Sequence, residues 1–224
     1  MNKLFLVFCL TIISSVFAMA QTTATDDYNK AEVFVGYSNN QVDTGISDDD
    51  NDLRDFFNDR EGLNGVNGSV VGNINRYVGI KGDVSAHFKS YNFDVPRPGT
   101  TNTTDRFKID ASLYNFLGGV QVKDNAKEGS RFRPFGHALV GVAVGKSKVD
   151  TSFFTSGFCQ QAGVDCRDDF SDSETGFAAA IGGGIDIKAT DRFSIRAIQL
   201  DYNPTRFNGS TQNNFRFGVG IVFH

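Results

Sequence analysis

Large apolar positions alternate with small or polar ones, at a period of two, along most of the chain. The closing segment is clearest: Phe215, Phe217, Val219, Ile221 and Phe223 alternate with Arg216, Gly218, Gly220 and Val222. Successive side chains of a strand point to opposite faces, so one face here is large and apolar while the other is mostly small or charged. The pattern recurs in Ala31, Val33, Val35 and Tyr37 against Glu32, Phe34, Gly36 and Ser38. It returns in Val78, Ile80, Val84 and Ala86 against Gly79, Lys81, Asp83, Ser85 and His87. Gly136, Ala138, Val140, Val142 and Val144 oppose His137, Leu139, Gly141 and Ala143. Phe177, Ala179, Ile181, Ile185 and Ile187 oppose Gly176, Ala178, Ala180, Gly182, Gly184 and Asp186. Segments 64–73, 106–122 and 193–203 fit further strands, which makes eight.

A soluble sheet would turn the apolar face to its core and show water Lys, Glu, Thr or Ser, a role glycine fills poorly. In a membrane barrel the assignment inverts: apolar side chains meet lipid, and glycine and charge face a narrow lumen. The connections agree. Those at 39–63, 89–105 and 147–173 are long, those near 74–76, 123–131 and 189–192 are short, and the last is moderate. Outer-membrane barrels have short turns at one end and long loops at the other, and an even strand number returns both ends of the chain to the short-turn side. Phe132, Phe193 and Phe223 fall at the short-turn ends of strands, and Tyr37, Phe88, Phe177 and Phe215 at the long-loop ends, all on the lipid register as interfacial girdles require. The expected fold is all-β: an eight-stranded antiparallel up-and-down transmembrane β-barrel with long extracellular loops. The alternative, a soluble calycin-like exported barrel, would place the apolar register inside.

Composition supports strands: 24 Gly, 22 Phe and 4 Pro in 224 residues, with no Trp. The first twenty residues read as an export signal: Lys3, an apolar run from Leu4 to Phe17, then Ala18-Met19-Ala20, with cleavage expected between Ala20 and Gln21. Ser14 and Ser15 interrupt the run, and it is shorter than the roughly 20 apolar residues that span a bilayer. The expected organisation is a cleaved signal at 1–20, a short leader at 21–27 and a barrel at 28–224. The formal charge is −4, which gives no basic surplus to neutralise phosphodiesters and argues against a nucleic-acid partner. Beyond the signal, Cys159 and Cys166 remain, an even pair expected to form a disulfide after export and to stiffen the tip of the third long loop.

Together these segments resemble the small bacterial outer-membrane β-barrel domains of the OmpA-like and opacity-protein kind. The matching phrases are Ala31–Ser38, Gly65–Val70, Tyr77–Asp83, Arg133–Gly141, Arg196–Tyr202 and the closing strand, in that order and spacing. The resemblance covers essentially all of the chain beyond the signal. It implies the bacterial outer membrane as location, outer-membrane lipid and lipopolysaccharide as surroundings, assembly by the outer-membrane machinery, and a monomer. The family often ends on Phe, whereas this chain ends Phe223-His224. No peptidoglycan-binding domain follows, so a cell-wall tether is not implied.

The inward register collects Glu32, Lys81, Asp83, His87, His137, Arg196 and Arg216. An eight-stranded barrel has an interior just wide enough for side chains to fill, and charges buried there must be paired. These residues are therefore expected to form a polar plug; the alternative is a small-solute pore lined by the same charges. Asp201 is out of step with Arg196 by one position, so placing both inside requires a β-bulge near Ala197–Gln199. The Asp48–Asp52 run has the opening spacing of a calcium loop but lacks its Gly and closing Glu, and residues 51–59 have helical spacing. No metal or cofactor motif is complete. Of three histidines only His87 lies toward the loop end, near Ser85 and Ser90, which is thin support for catalysis. The function expected is non-catalytic: structural support, surface display or adhesion through the loops toward an extracellular ligand.

Overall fold

The computed structural model describes residues 27–43, 60–96, 104–150 and 170–224. The predicted signal and its Ala20–Gln21 junction, the Asp48–Asp52 run, the helix at 51–59 and the Cys159–Cys166 pair lie outside them. Eight strands form, β1 (Ala31–Asp43), β2 (Arg60–Asn73), β3 (Val78–Pro96), β4 (Thr104–Lys123), β5 (Phe132–Asp150), β6 (Phe170–Lys188), β7 (Phe193–Phe207) and β8 (Ser210–Phe223). Each pairs antiparallel with its sequence neighbour, and β1 returns to β8 from Val33–Phe223 to Gln41–Phe215, closing the barrel. Closure removes every free edge, which is what lets strands cross lipid with their backbone groups satisfied.

The apolar register faces outward. Val35, Ile80, Val84, Val140, Phe177, Ile181 and Phe223 are all exposed, while Glu32, Lys81, Asp83, Arg196 and Arg216 are buried. This inverted burial excludes the soluble alternative. Among the described residues no helix is long and apolar enough to cross a membrane. The crossing is made by strands.

The connections differ from expectation in two ways. The strands run past the predicted loop boundaries, so the gaps at the long-loop end narrow to 44–59, 97–103 and 151–169. A membrane-crossing strand needs about 9–11 residues. β3 and β4 have 19 and 20, so their hairpin projects beyond the lipid. There the outward-apolar alternation that marks a membrane strand in sequence lapses. The β7–β8 connection is not moderate but a two-residue turn, Asn208-Gly209, with φ of 44° and 88°. Positive φ at both positions is the signature of the type I′ turn whose twist matches antiparallel strands, and Asn-Gly is its preferred pair.

The candidate functional site is the lumen

The inward positions divide into two walls. Leu113 and Leu117 of β4, Leu139 and Ala143 of β5, and Ala178 and Ala180 of β6 make an apolar cluster with Leu63 of β2. Charged and amide side chains fill the remainder. The plug therefore has an apolar part, a feature missing from the purely polar expectation.

The ionic part has two linked clusters. Nearer the short turns, Lys123 Nζ lies 2.6 Å from Glu32 and 3.0 Å from Asp186, and Arg196 grips Asp186 with Nε at 2.8 Å and Nη2 at 3.1 Å. The Arg196 guanidinium stands 4.3 Å from the Phe34 ring centre and 4.0 Å from that of Phe135, in desolvated cation–π contact with both. Those rings need glycine beside them: a Cβ on Gly184 would meet Phe135 at 2.9 Å, and one on Gly220 would meet Phe34 at 2.8 Å. Higher in the lumen, Arg216 donates to Asp83 at 2.7 Å and to Asp201 through Nε and Nη2 at 2.9 and 2.7 Å. Gln199 joins the clusters, accepting from Arg196 at 2.8 Å and donating to Asp201 at 2.7 Å. Within this network Glu32, Asp83, Asp186 and Asp201 balance Lys81, Lys123, Arg196 and Arg216; a further buried cation, Arg133, turns instead to the carbonyls of the β4–β5 turn. Charges removed from water are tolerable only in such a matched arrangement.

Both lumen histidines have assignable tautomers. The Ser38 hydroxyl donates to the Phe217 carbonyl at 3.2 Å, so His87 Nε2, 2.9 Å from Ser38 Oγ, carries the proton. That Ser–His contact has the donor direction opposite to the one a base-activated nucleophile requires. Ser90 is exposed on the other face of β3, away from His87. His137 Nδ1 accepts from Lys81 Nζ at 3.2 Å, which leaves its proton on Nε2, 3.0 Å from Asp201.

All seven residues expected inside are buried inside, and six are joined in one chain of contacts: Glu32–Lys123–Asp186–Arg196–Gln199–Asp201–Arg216–Asp83, with His137 and Lys81 alongside; His87 stands apart on Ser38. The β7 register shifts against β8 between Arg196 and Gln199, and this bulge lets Arg196, Gln199 and Asp201 all face inward. Sequence reasoning missed Lys123 and Asp186. Asp186 sat on the inward register already, and only its omission from the network kept it out.

At the short-turn mouth the chain covers the network. Residues before β1 reach across to the β4–β5 turn: Asn29 N donates to Asn125 O and Lys127 N to Asp27 O, both at 2.9 Å. Arg133 and Lys188 hold that turn through the Ala126 and Lys127 carbonyls, at 2.7 and 2.8 Å. Among the described residues no group of three His, Cys, Asp or Glu side chains is placed to hold a metal ion.

The model of the outer membrane protein beta-barrel domain matches residues 7–223 of this chain. The chain belongs to this family. Its place is the bacterial outer membrane, with the short turns periplasmic and the long-loop end outside by the rule for such barrels. Among solved structures it is similar to Ail, the attachment invasion locus protein of Yersinia pestis, in complex with the heparin analogue sucrose octasulfate. The identity is 16%, the match covers 86% of this chain and 97% of that one, and the TM-score is 0.53. OprG of Pseudomonas aeruginosa matches at 12% identity over 88% of this chain and 96% of its own, with a TM-score of 0.44. At these identities the likeness is one of fold. No curated protein matches the sequence.

Proposed function

We propose that this outer-membrane barrel is a closed, non-catalytic scaffold that displays its outer loops for structural or adhesive contact. One observation carries the reading: among the described residues the buried carboxylates Glu32, Asp83, Asp186 and Asp201 are ion-paired in the lumen with Lys81, Lys123, Arg196 and Arg216. Such a network fills the cross-section that a solute would need, and opening it would strand unpaired charges at several kcal/mol each. The strap from Asp27 to Asn29 across the β4–β5 turn supports closure at the periplasmic side. A contact role at this end agrees with β3 and β4, whose 19 and 20 residues outrun the membrane. Ail, seen with a sulfated sugar, supplies a precedent for extracellular ligand contact within this fold. The disulfide between Cys159 and Cys166 belongs to this reading as a brace for one loop.

The test is binding with intact and loop-shortened barrels. Cells displaying the full chain should adhere to host-matrix or glycan surfaces, and shortening 44–59 or 151–169 should abolish adhesion while the barrel still assembles. Adhesion that survives both deletions, or liposome swelling in small sugars by the purified barrel, would contradict the proposal.

A further inference from the structure

The outer mouth of the lumen holds a cavity that the ionic network does not account for. Its volume is about 290 Å³, near the lower end of pockets that hold small ligands. The floor is apolar: Leu63 of β2 and Leu113 of β4 are buried there, and Val42 of β1 and Phe207 of β7 pack against the same cluster. Lys146, Ser147 and Asp172 stand exposed at its edge, so the cavity is a cup open toward the outside.

One wall of the cup carries a charge. Glu174 of β6 lines it, and its Oε1 is buried without a hydrogen-bond partner among the described residues. The Phe207 ring lies close by. Glu174 pairs opposite Gly145 and stands two positions from Gly176, and both glycines lie against that ring. A Cβ on Gly176 would stand 2.7 Å from Phe207 Cδ1, and one on Gly145 3.7 Å from Cζ. Lys146, next along β5, turns elsewhere: its Nζ stands 5.6 Å from the Tyr114 ring centre on the lipid-facing register. A carboxylate oxygen buried against leucines without a donor is costly, and a donor brought by a ligand offsets that cost. An aromatic ring beside a carboxylate suits an ammonium, which the ring attracts through its quadrupole and the carboxylate holds by a charged hydrogen bond. The surroundings favour the same sign. Segments 44–59, 97–103 and 151–169 together hold nine Asp and three Arg, with no Lys or Glu, a balance that concentrates cations at this end.

We propose that this cup binds a small free amine with a short apolar body. The ammonium donates to Glu174 beside the Phe207 ring, and the body fills the space over Leu63, Leu113 and Val42. The volume limits that body to a single ring or a short alkyl chain. A neutral molecule of the same shape leaves the Glu174 oxygen unanswered, and an anion meets its charge.

The experiment is a titration of the full barrel in lipid nanodiscs, read by NMR of isotope-labelled leucine methyls. The probes are phenethylamine, the uncharged phenethyl alcohol of the same shape, and methylamine, which keeps the charge and lacks the body. Phenethylamine should shift the Leu63 and Leu113 methyls saturably and leave Leu200, exposed to lipid on β7, unmoved. The alcohol should bind about tenfold more weakly, the worth of one charged hydrogen bond. Glu174→Gln should weaken phenethylamine by about the same tenfold and so erase its preference over the alcohol. Phe207→Leu should weaken it about threefold through the lost ring contact, whereas Asp110→Asn on the outward face should leave it within about twofold. Methylamine should shift neither floor leucine at the concentration where phenethylamine saturates. If Glu174→Gln does not fold, the comparison of amine with alcohol on the wild-type barrel still decides. Equal binding of the alcohol, an unweakened Glu174→Gln barrel, absence of a saturable shift at Leu63 and Leu113, or an equal shift at Leu200 would overturn the site.

Discussion

Replacing Arg196 by Met tests the lumen network where its geometry is most demanding. Arg196 is buried, makes the two-point contact with Asp186, donates to Gln199 and lies between two aromatic rings. Met fills much of its volume, so the loss is chiefly one of charge. Four carboxylates would then face three cations, with Lys123 shared between Glu32 and Asp186. Breaking a buried pair by removing one partner costs about 3–5 kcal/mol, a shift of roughly two to three and a half decades in the unfolding equilibrium. The Phe34 and Phe135 contacts add to this only in part, because methylenes and a thioether still pack on the rings. Equilibrium urea unfolding in phospholipid vesicles, read by heat-dependent gel mobility and far-UV circular dichroism, measures the change. Adding Asp186→Asn restores neutrality, three against three, so the double variant should be more stable than Arg196→Met alone. An Arg196→Met barrel within 1 kcal/mol of the wild type, or a double variant in which the two losses simply add, would refute the reasoning.

Other consequences follow from separate parts of the structure. Gly209→Ala places a Cβ at φ of 88° in the β7–β8 turn and should cost about 1 kcal/mol by the same unfolding measurement, while the membrane topology is kept. In the periplasmic turns the Arg76 guanidinium, bonded to Asp124 at 2.7 and 2.8 Å, holds that carboxyl down at about 2, the largest cause being this hydrogen bond. A depressed carboxyl contributes stability above its ordinary value of 3.8 and loses it as pH falls through about 2. The difference between wild type and Asp124→Asn should therefore be small, because the pair is exposed, flat from pH 5 to 8, and absent below about pH 2. For the proposed Cys159–Cys166 bridge, iodoacetamide should label neither cysteine in the unreduced protein and both after reduction, and Cys159→Ser with Cys166→Ser should speed cleavage of that loop without lowering barrel stability.

The strands that cross lipid were legible because the two faces differ in solvent, lipid outside and packed side chains inside. Glu32, Lys81, Asp83, His137, Arg196 and Arg216 stood out as charges on an otherwise small inward register, and the mismatch of Arg196 with Asp201 required the bulge that β7 contains. β4 hid its contribution. Tyr114, Phe116, Val120 and Val122 face lipid while Leu113 and Leu117 face the lumen, so both faces are apolar and Lys123 at its end could not be assigned inward by period. Leu139, Ala143, Ala178 and Ala180 already stood on the inward register, and it was the β4 leucines completing their cluster that two-sided apolarity concealed. Strand ends beyond the membrane failed for the complementary reason. Lys89 of β3 and Glu61 of β2, ion-paired across the hairpins, sit where both faces are wet and read in sequence as loop. The Asn208-Gly209 turn was not read from the sequence, because polar residues on both sides hid how tightly the strands close around it.

Closure of the lumen is the central claim, and electrical conductance of the wild-type barrel tests it most directly. Purified protein inserted into a planar bilayer at 1 M salt should show no steady conductance attributable to protein, because the buried ionic network and the apolar cluster occupy the section an ion would cross. A stable, concentration-dependent single-channel current from the wild-type chain would contradict it.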